Sequence, residues 1–204
     1  MRRLLLIMLC LCLSLRSFAD NGDDRHEVAF SYGGIAPAAF AYSNYFNLDF
    51  GHASIGHYLG ETDFVHRMKN IGVFSLACYY HPLDWLAVGA RTSVTSDYGK
   101  IMNANTYELS RYMSIFRAYD ISIGVKFVYF RRPWVRLYSE VFAGGGALVD
   151  DSKRYMDAGK TVHGRFVFQS VPIGVSVGKR LGCFLQLELG TSIIGASGGI
   201  SYRF

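Results

Sequence analysis

His52, His57 and His66 lie near Glu61 and Asp63, and together they supply the donor types that ligate zinc. Their spacing argues against a site. An H-x4-H interval does not put two imidazoles on one helical face, and no cysteine joins them, so the group reads as a solvated loop. His52-Ala53-Ser54 pairs a base with a nucleophile, yet the two must come within hydrogen-bond reach, which a two-residue separation in a loop does not enforce. Gly144-Gly145-Gly146 is followed by no Lys-Ser/Thr and opens no helix, so it is not a phosphate loop; a tapering or bulged strand accounts for it. Cys78 and Cys183 are far apart and read as isolated apolar side chains. These residues predict no catalytic residue, no metal and no cofactor.

The remaining chemistry is charge set into alternating segments. Tyr119, Ile121, Ile123, Val125, Phe127 and Tyr129 share one face of an extended strand, and Asp120, Ser122, Gly124 and Lys126 share the other. The division recurs with Leu86, Val88, Ala90 and Val94 opposite Ala87, Gly89, Arg91 and Ser93. It recurs with Val135, Leu137, Val141 and Ala143 opposite Arg136, Tyr138, Glu140 and Gly144. Val171, Ile173, Val175 and Val177 oppose Ser170, Gly174, Ser176 and Gly178, and Cys183, Leu185, Leu187 and Leu189 oppose Phe184, Gln186 and Glu188. Strands are expected near 27–34, 70–81, 85–95, 113–130, 134–148, 163–178, 181–191 and 195–204. Pro172 inside a strand predicts a bulge. A hairpin at 39–47 and 52–60 would raise the count from eight strands to ten.

Across these segments the polar face is mostly Gly, Ser and Ala. Its sparse charges balance: Arg91, Lys126, Arg136 and Arg203 against Glu27, Asp120, Glu140 and Glu188. A narrow closed lumen demands both features, because it admits only small side chains and its buried charges need partners. The connections are long at 35–69, 96–112 and 149–162, and short around Pro82-Leu83-Asp84, Arg131-Arg132-Pro133 and Lys179-Arg180. Tyr79, Tyr80, Trp85, Tyr129, Phe130, Trp134 and Phe204 gather beside the short turns, as an interfacial girdle would. An all-β antiparallel up-and-down barrel that spans a membrane fits this layout. No apolar run after residue 19 is long enough for a transmembrane helix.

Residues 1–19 read as a cleaved signal peptide: Arg2 and Arg3, an apolar stretch from Leu4 to Leu15, then Ser17-Phe18-Ala19. Residues 20–204 form the barrel domain. Of the chain's 21 Lys and Arg, three (Arg2, Arg3, Arg16) leave with the signal, so 18 face 16 acids. That balance gives no case for a nucleic-acid partner.

Ser197, Gly199, Tyr202 and Phe204 match the polar-x-Gly-x-x-aromatic-x-aromatic pattern. In this the chain resembles the C-terminal recognition signal of bacterial outer-membrane barrels, and its layout is similar to small eight-stranded barrels of the OmpA and OmpX type. The resemblance implies residence in the outer membrane among its lipids and contact with the barrel assembly machinery during insertion. A monomer is expected, and loops 35–69, 96–112 and 149–162 are where a surface ligand, if there is one, would be held. His52-Ala53-Ser54 is similar to the His-x-Ser of outer-membrane lipid A deacylases. In that family the motif lies late in the chain on a lipid-facing strand with a partner carboxylate, and nothing else here matches. A structural or surface-loop role with a packed polar lumen is therefore expected. The alternatives are a narrow passive channel and a lipid A-modifying enzyme.

Overall fold

A computed structural model describes residues 25–36, 57–58, 63–103, 105–150 and 161–204. The signal-like segment, His52-Ala53-Ser54 and the 39–47 half of the alternative hairpin lie outside the described residues. The strands are β1 (His26–Ile35), β2 (His57–Tyr58), β3 (Asp63–Leu83), β4 (Leu86–Asn103), β5 (Leu109–Arg131), β6 (Val135–Asp150), β7 (Thr161–Gly178), β8 (Leu181–Gly190) and β9 (Ile194–Arg203). Each of β3 to β9 pairs antiparallel with its sequence neighbour, and β1 pairs with both β9 and β3. Eight strands close the cylinder. The two-residue β2 only lies against Phe64 and Val65 of β3, so it adds no stave to the wall and the ten-strand alternative is excluded.

Alternation in sequence becomes inside and outside in space. Ile121 and Ile123 of β5 are 67% and 72% exposed, whereas Asp120, Ser122 and Lys126 are buried. Leu185, Leu187 and Leu189 of β8 and Ile200 and Tyr202 of β9 continue the exposed apolar wall. A wall this apolar is compatible with lipid rather than water. An even number of strands, three tight turns at one end and a collar of Tyr80, Trp85, Tyr129, Phe130 and Trp134 beside them complete an outer-membrane-type barrel. Tyr79 departs from the expected girdle: it is buried and points into the lumen.

The interior packs by a repeated device. Tyr79 stands opposite Gly89, Phe142 opposite Gly124, Tyr138 opposite Gly174 and Phe184 opposite Gly199 on paired strands. In each pair the ring occupies the space a Cβ on the glycine would need. This explains why the chain is rich in both glycine and aromatics: a ring can lie flat across a narrow lumen only where its neighbour has no side chain. The Gly144-Gly145-Gly146 run is part of the same economy of space and not a bulge, since all three residues pair in register with β5 and β7. Cβ atoms at Gly144 and Gly146 would strike Ser122 and Asp120, whereas Gly145 faces out into open space.

Pro172 does sit at a bulge. The β7–β8 register shifts between Ser170 and Ile173, and β7 slips against β6 at the same level. The extra residue reverses the inside–outside phase of β7. Val171, expected on the lipid face, is fully buried, and Ser170 turns away from the lumen; Gly174 and Ser176 resume the expected inward phase. The connection expected to be long at 96–112 is short instead. β4 runs to Asn103 and β5 begins at Leu109, leaving a tight turn. Asn103 Oδ1 accepts the backbone N–H groups of Asn105 (2.9 Å) and Thr106 (3.3 Å), which is the side-chain chemistry that reverses a chain.

Strand lengths are unequal. β1, β8 and β9 have 10 residues each, about what a bilayer requires. β3, β4 and β5 have 21, 18 and 23, so they continue well beyond the barrel rim at the long-loop end.

Candidate functional site in the barrel lumen

The inward face of each strand contributes to three levels of polar contacts. Nearest the short turns, Glu27 of β1 gathers one cation from across the barrel and one from the neighbouring strand: Lys126 Nζ of β5 donates to its Oε1 at 2.9 Å and Arg203 Nε of β9 to its Oε2 at 2.8 Å. His81 Nε2 lies 3.2 Å from Oε2. Lys126 also reaches Glu140 at 3.3 Å, and its ammonium sits over the rings of Tyr79 (4.5 Å) and Tyr138 (4.2 Å). In a site shielded from water such ring faces supply part of the solvation an ammonium loses.

At mid-height Arg91 of β4 pairs with Glu188 of β8 at 2.8 Å and donates to Ser75 Oγ at 3.1 Å. Glu188 accepts in addition from Gln186 (2.9 Å), Gln169 (3.1 Å) and Ser197 Oγ. Tyr138 Oη donates to Gln186 at 2.8 Å. Toward the long-loop rim, Arg165 Nε donates to Asp120 Oδ1 at 2.9 Å, and Ser192 Oγ donates to Asp120 Oδ2 at 2.7 Å. Above it Asn70 Nδ2 donates to Asp97 at 2.7 Å. Ile193, on the β8–β9 turn, is fully buried against Ala36 and Val73.

Seven of the eight charges expected in the lumen therefore engage an opposite charge: Glu27, Lys126, Glu140 and Arg203 in one cluster, Arg91 with Glu188, and Asp120 with Arg165. Arg136 stands apart, its Nε buried with no hydrogen-bond partner among the described residues. The partner of Asp120 was hidden from sequence reasoning for a definite reason. Arg165 and Gln169 share the phase of Val171, and the bulge at Pro172 makes that phase inward although the residues beyond it suggest the opposite. His81 was missed because it falls at a strand end, where an interfacial position is the ordinary expectation.

After these contacts little space remains. A void lined by Glu27, Tyr79, Arg91, Lys126, Glu140 and Gln186 has a volume of about 10 Å³, the size of a single water probe. Among the described residues no group of three or more His, Cys, Asp or Glu could hold a metal ion. His57 and His66 lie on β2 and β3, while His52 and Glu61 fall outside the described residues.

The four residues of the closing-strand pattern divide by face. Ser197 is buried on Glu188, and Gly199 lies beneath the Phe184 ring and against the Phe30 carbonyl. Tyr202 faces outward and stacks on Phe204, with ring centroids 5.9 Å apart. Phe204 exchanges backbone hydrogen bonds of 2.9 Å with His26 and stacks on its ring.

No family model and no curated protein matches the chain. Among solved structures it is similar to Ail, the attachment invasion locus protein of Yersinia pestis, with a TM-score of 0.41 and 14% identity over 88% of this chain and 97% of that one. It is also similar to Ail in complex with the heparin analogue sucrose octasulfate, with a TM-score of 0.42 and 14% identity over 88% and 99% of the two chains.

Proposed function

We propose that this chain is an integral outer-membrane barrel whose lumen is closed by its own polar side chains, and that it works through what it raises above the long-loop rim. The observation that carries the closed lumen is the set of ion pairs running across the barrel axis, Glu27 to Lys126 and Arg91 to Glu188, with a void of only about 10 Å³ between them. A hydrated ion cannot pass a space that holds one water. In planar bilayers the purified protein therefore gives no discrete conductance steps; regular openings from the wild-type protein would replace this reading with the channel.

The surface role is supported by the strands that outrun the barrel. β3, β4 and β5 pair with one another beyond the level at which β1, β8 and β9 end. Of the three loops expected to hold a ligand, 96–112 is mostly strand, so it contributes a hairpin tip. The enzyme alternative requires a change in lipid A mass on expression; an unchanged spectrum accords with a non-catalytic barrel.

Ser197, Gly199, Tyr202 and Phe204 are proposed as the signal read during assembly. Two of them serve lumen packing, which leaves the exposed ring of Tyr202 and the half-buried ring of Phe204 as the surface for recognition. Phe204→Ala should lower the heat-modifiable fraction recovered in membranes severalfold while the folded remainder melts like wild type. Equal recovery of variant and wild type would remove this assignment.

A further inference from the structure

At the long-loop end, β8 joins β9 through only Thr191, Ser192 and Ile193. Ser192 and Ile193 are both buried, and their partners are lumen-facing residues, so the turn folds over the mouth of the barrel instead of standing up from it. Folding inward takes the turn's backbone groups out of water, and each then needs a partner. Gln169 of β7 supplies them. Its Oε1 accepts the N–H groups of Ser192 (3.3 Å) and Ile193 (3.1 Å), and its Nε2 donates to the Ile193 carbonyl (3.0 Å) and to Glu188 Oε2 (3.1 Å). A carboxamide has two donor hydrogens and two acceptor lone pairs; here all four are used, three of them on the turn. A carboxylate could not donate to the Ile193 carbonyl, and an aliphatic chain could do neither.

The turn also reaches strands on several sides of the mouth. Ser192 Oγ donates to Asp120 Oδ2 of β5 at 2.7 Å. Arg165 of β7, which holds Asp120 Oδ1, donates to the Thr191 carbonyl at 3.4 Å. Ile193 packs with Ala36, just past β1, and with Val73 of β3. Gly34 of β1, at φ +64°, makes room for it, because a Cβ there would strike the Ile193 side chain. Attachments to β1, β3, β5 and β7 span the opening, and a turn that merely joined two neighbouring strands would need none of them.

We propose that the β8–β9 turn is a built-in stopper for the long-loop mouth of the lumen, with the Gln169 amide as its latch. The lumen is then sealed twice, by the turn at the mouth and by the Arg91–Glu188 and Glu27–Lys126 pairs below it. Between the two seals lies Ser93, buried, opposite Asp120 in the β4–β5 ladder and two residues from Arg91 toward the mouth.

Ser93 can report on the stopper. The mature protein would carry Ser93→Cys in a background where the free cysteines Cys78 and Cys183 are replaced by alanine. The thiol would be treated with a quaternary-ammonium methanethiosulfonate, which reacts from water. With the turn intact, labelling should run at least about a hundredfold below the rate in the denaturant-unfolded chain, since the thiol is reached only when the turn opens. Gln169→Ala should raise the folded-state rate about tenfold or more, the scale of one or two net hydrogen bonds in the open population. Ile193→Ser, which leaves Gln169 and Glu188 in place, should do the same. Ile194→Ala, at the outward-facing neighbour, should leave the rate unchanged. Heat-modifiable migration shows that each variant is folded. Fast labelling with the turn intact, no gain in either folded variant, or an equal gain in Ile194→Ala would each overturn the proposal. Conductance of the wild-type protein tests the ion pairs and the gain in labelling tests the turn, so the two readings fail separately.

Discussion

Glu27→Ala lowers the unfolding free energy by about 3–5 kcal/mol, the cost of removing one partner from a buried ion pair. Glu27 is 2% exposed and is the shared acceptor of Lys126 and Arg203, two cations that are themselves buried. Without it, Lys126 retains only Glu140 at 3.3 Å, and Arg203 loses the carboxylate on its Nε. Apart from the space the Glu27 side chain vacates, the void of about 10 Å³ has room for a single water, too little to hydrate both cations. The measurement is denaturant unfolding in detergent or vesicles, read as the shift in midpoint and in heat-modifiable migration. Arg131→Ala is the internal control: its partner Asp84 is 89% exposed, and breaking an exposed pair costs at most about 1 kcal/mol. Equal effects from the two substitutions would show that the lumen cluster is no more than a solvated surface network.

Gly124→Val is expected to destabilise by about 1–3 kcal/mol, the usual cost of overpacking. A Cβ at Gly124 would collide with the Val141 carbonyl oxygen and with the Phe142 ring. The first is backbone and cannot swing aside without parting β5 from β6. The second is fully buried against Ala29, Ala77, Tyr79 and Ala87, with the Arg91 guanidinium 5.8 Å from its centroid. Gly145→Ala in the next strand should stay within about 0.5 kcal/mol of wild type, as substitutions outside a packed site do, because its Cβ would come no nearer than 3.9 Å to a neighbour. The contrast separates glycine needed for space from glycine that merely occurs in a strand. Thermal or denaturant midpoints of the two variants, measured side by side, decide it.

Much of the wall was legible because a membrane barrel writes its two faces into every second residue. β1, β6, β8 and β9 lie where alternation put them, and their inside and outside residues divide as expected. Legibility failed where the period slipped or the solvent changed. At Pro172 one extra residue reversed the phase of β7 and concealed Arg165 and Gln169. Past the rim, β3, β4 and β5 no longer separate lipid from lumen, so strand there reads as loop. At 95–97 three successive residues are buried, which no period-two pattern anticipates.

The all-β class, the antiparallel up-and-down layout and the division of each strand into an apolar and a polar face were legible in the residues alone. Each of these follows from local alternation and from the rule that a charge avoids the bilayer interior. Which charge meets which, and that the wall has eight staves and not ten, came from the closed barrel. Glu27 and Lys126 are 99 residues apart and Arg203 lies 176 residues from Glu27. Their pairing depends on closure of β1 onto both β3 and β9 and on the stagger between strands, neither of which a single strand's pattern contains. The same closure set the aromatic rings over Gly89, Gly124, Gly174 and Gly199, because whether a ring fits is a property of two strands and never of one.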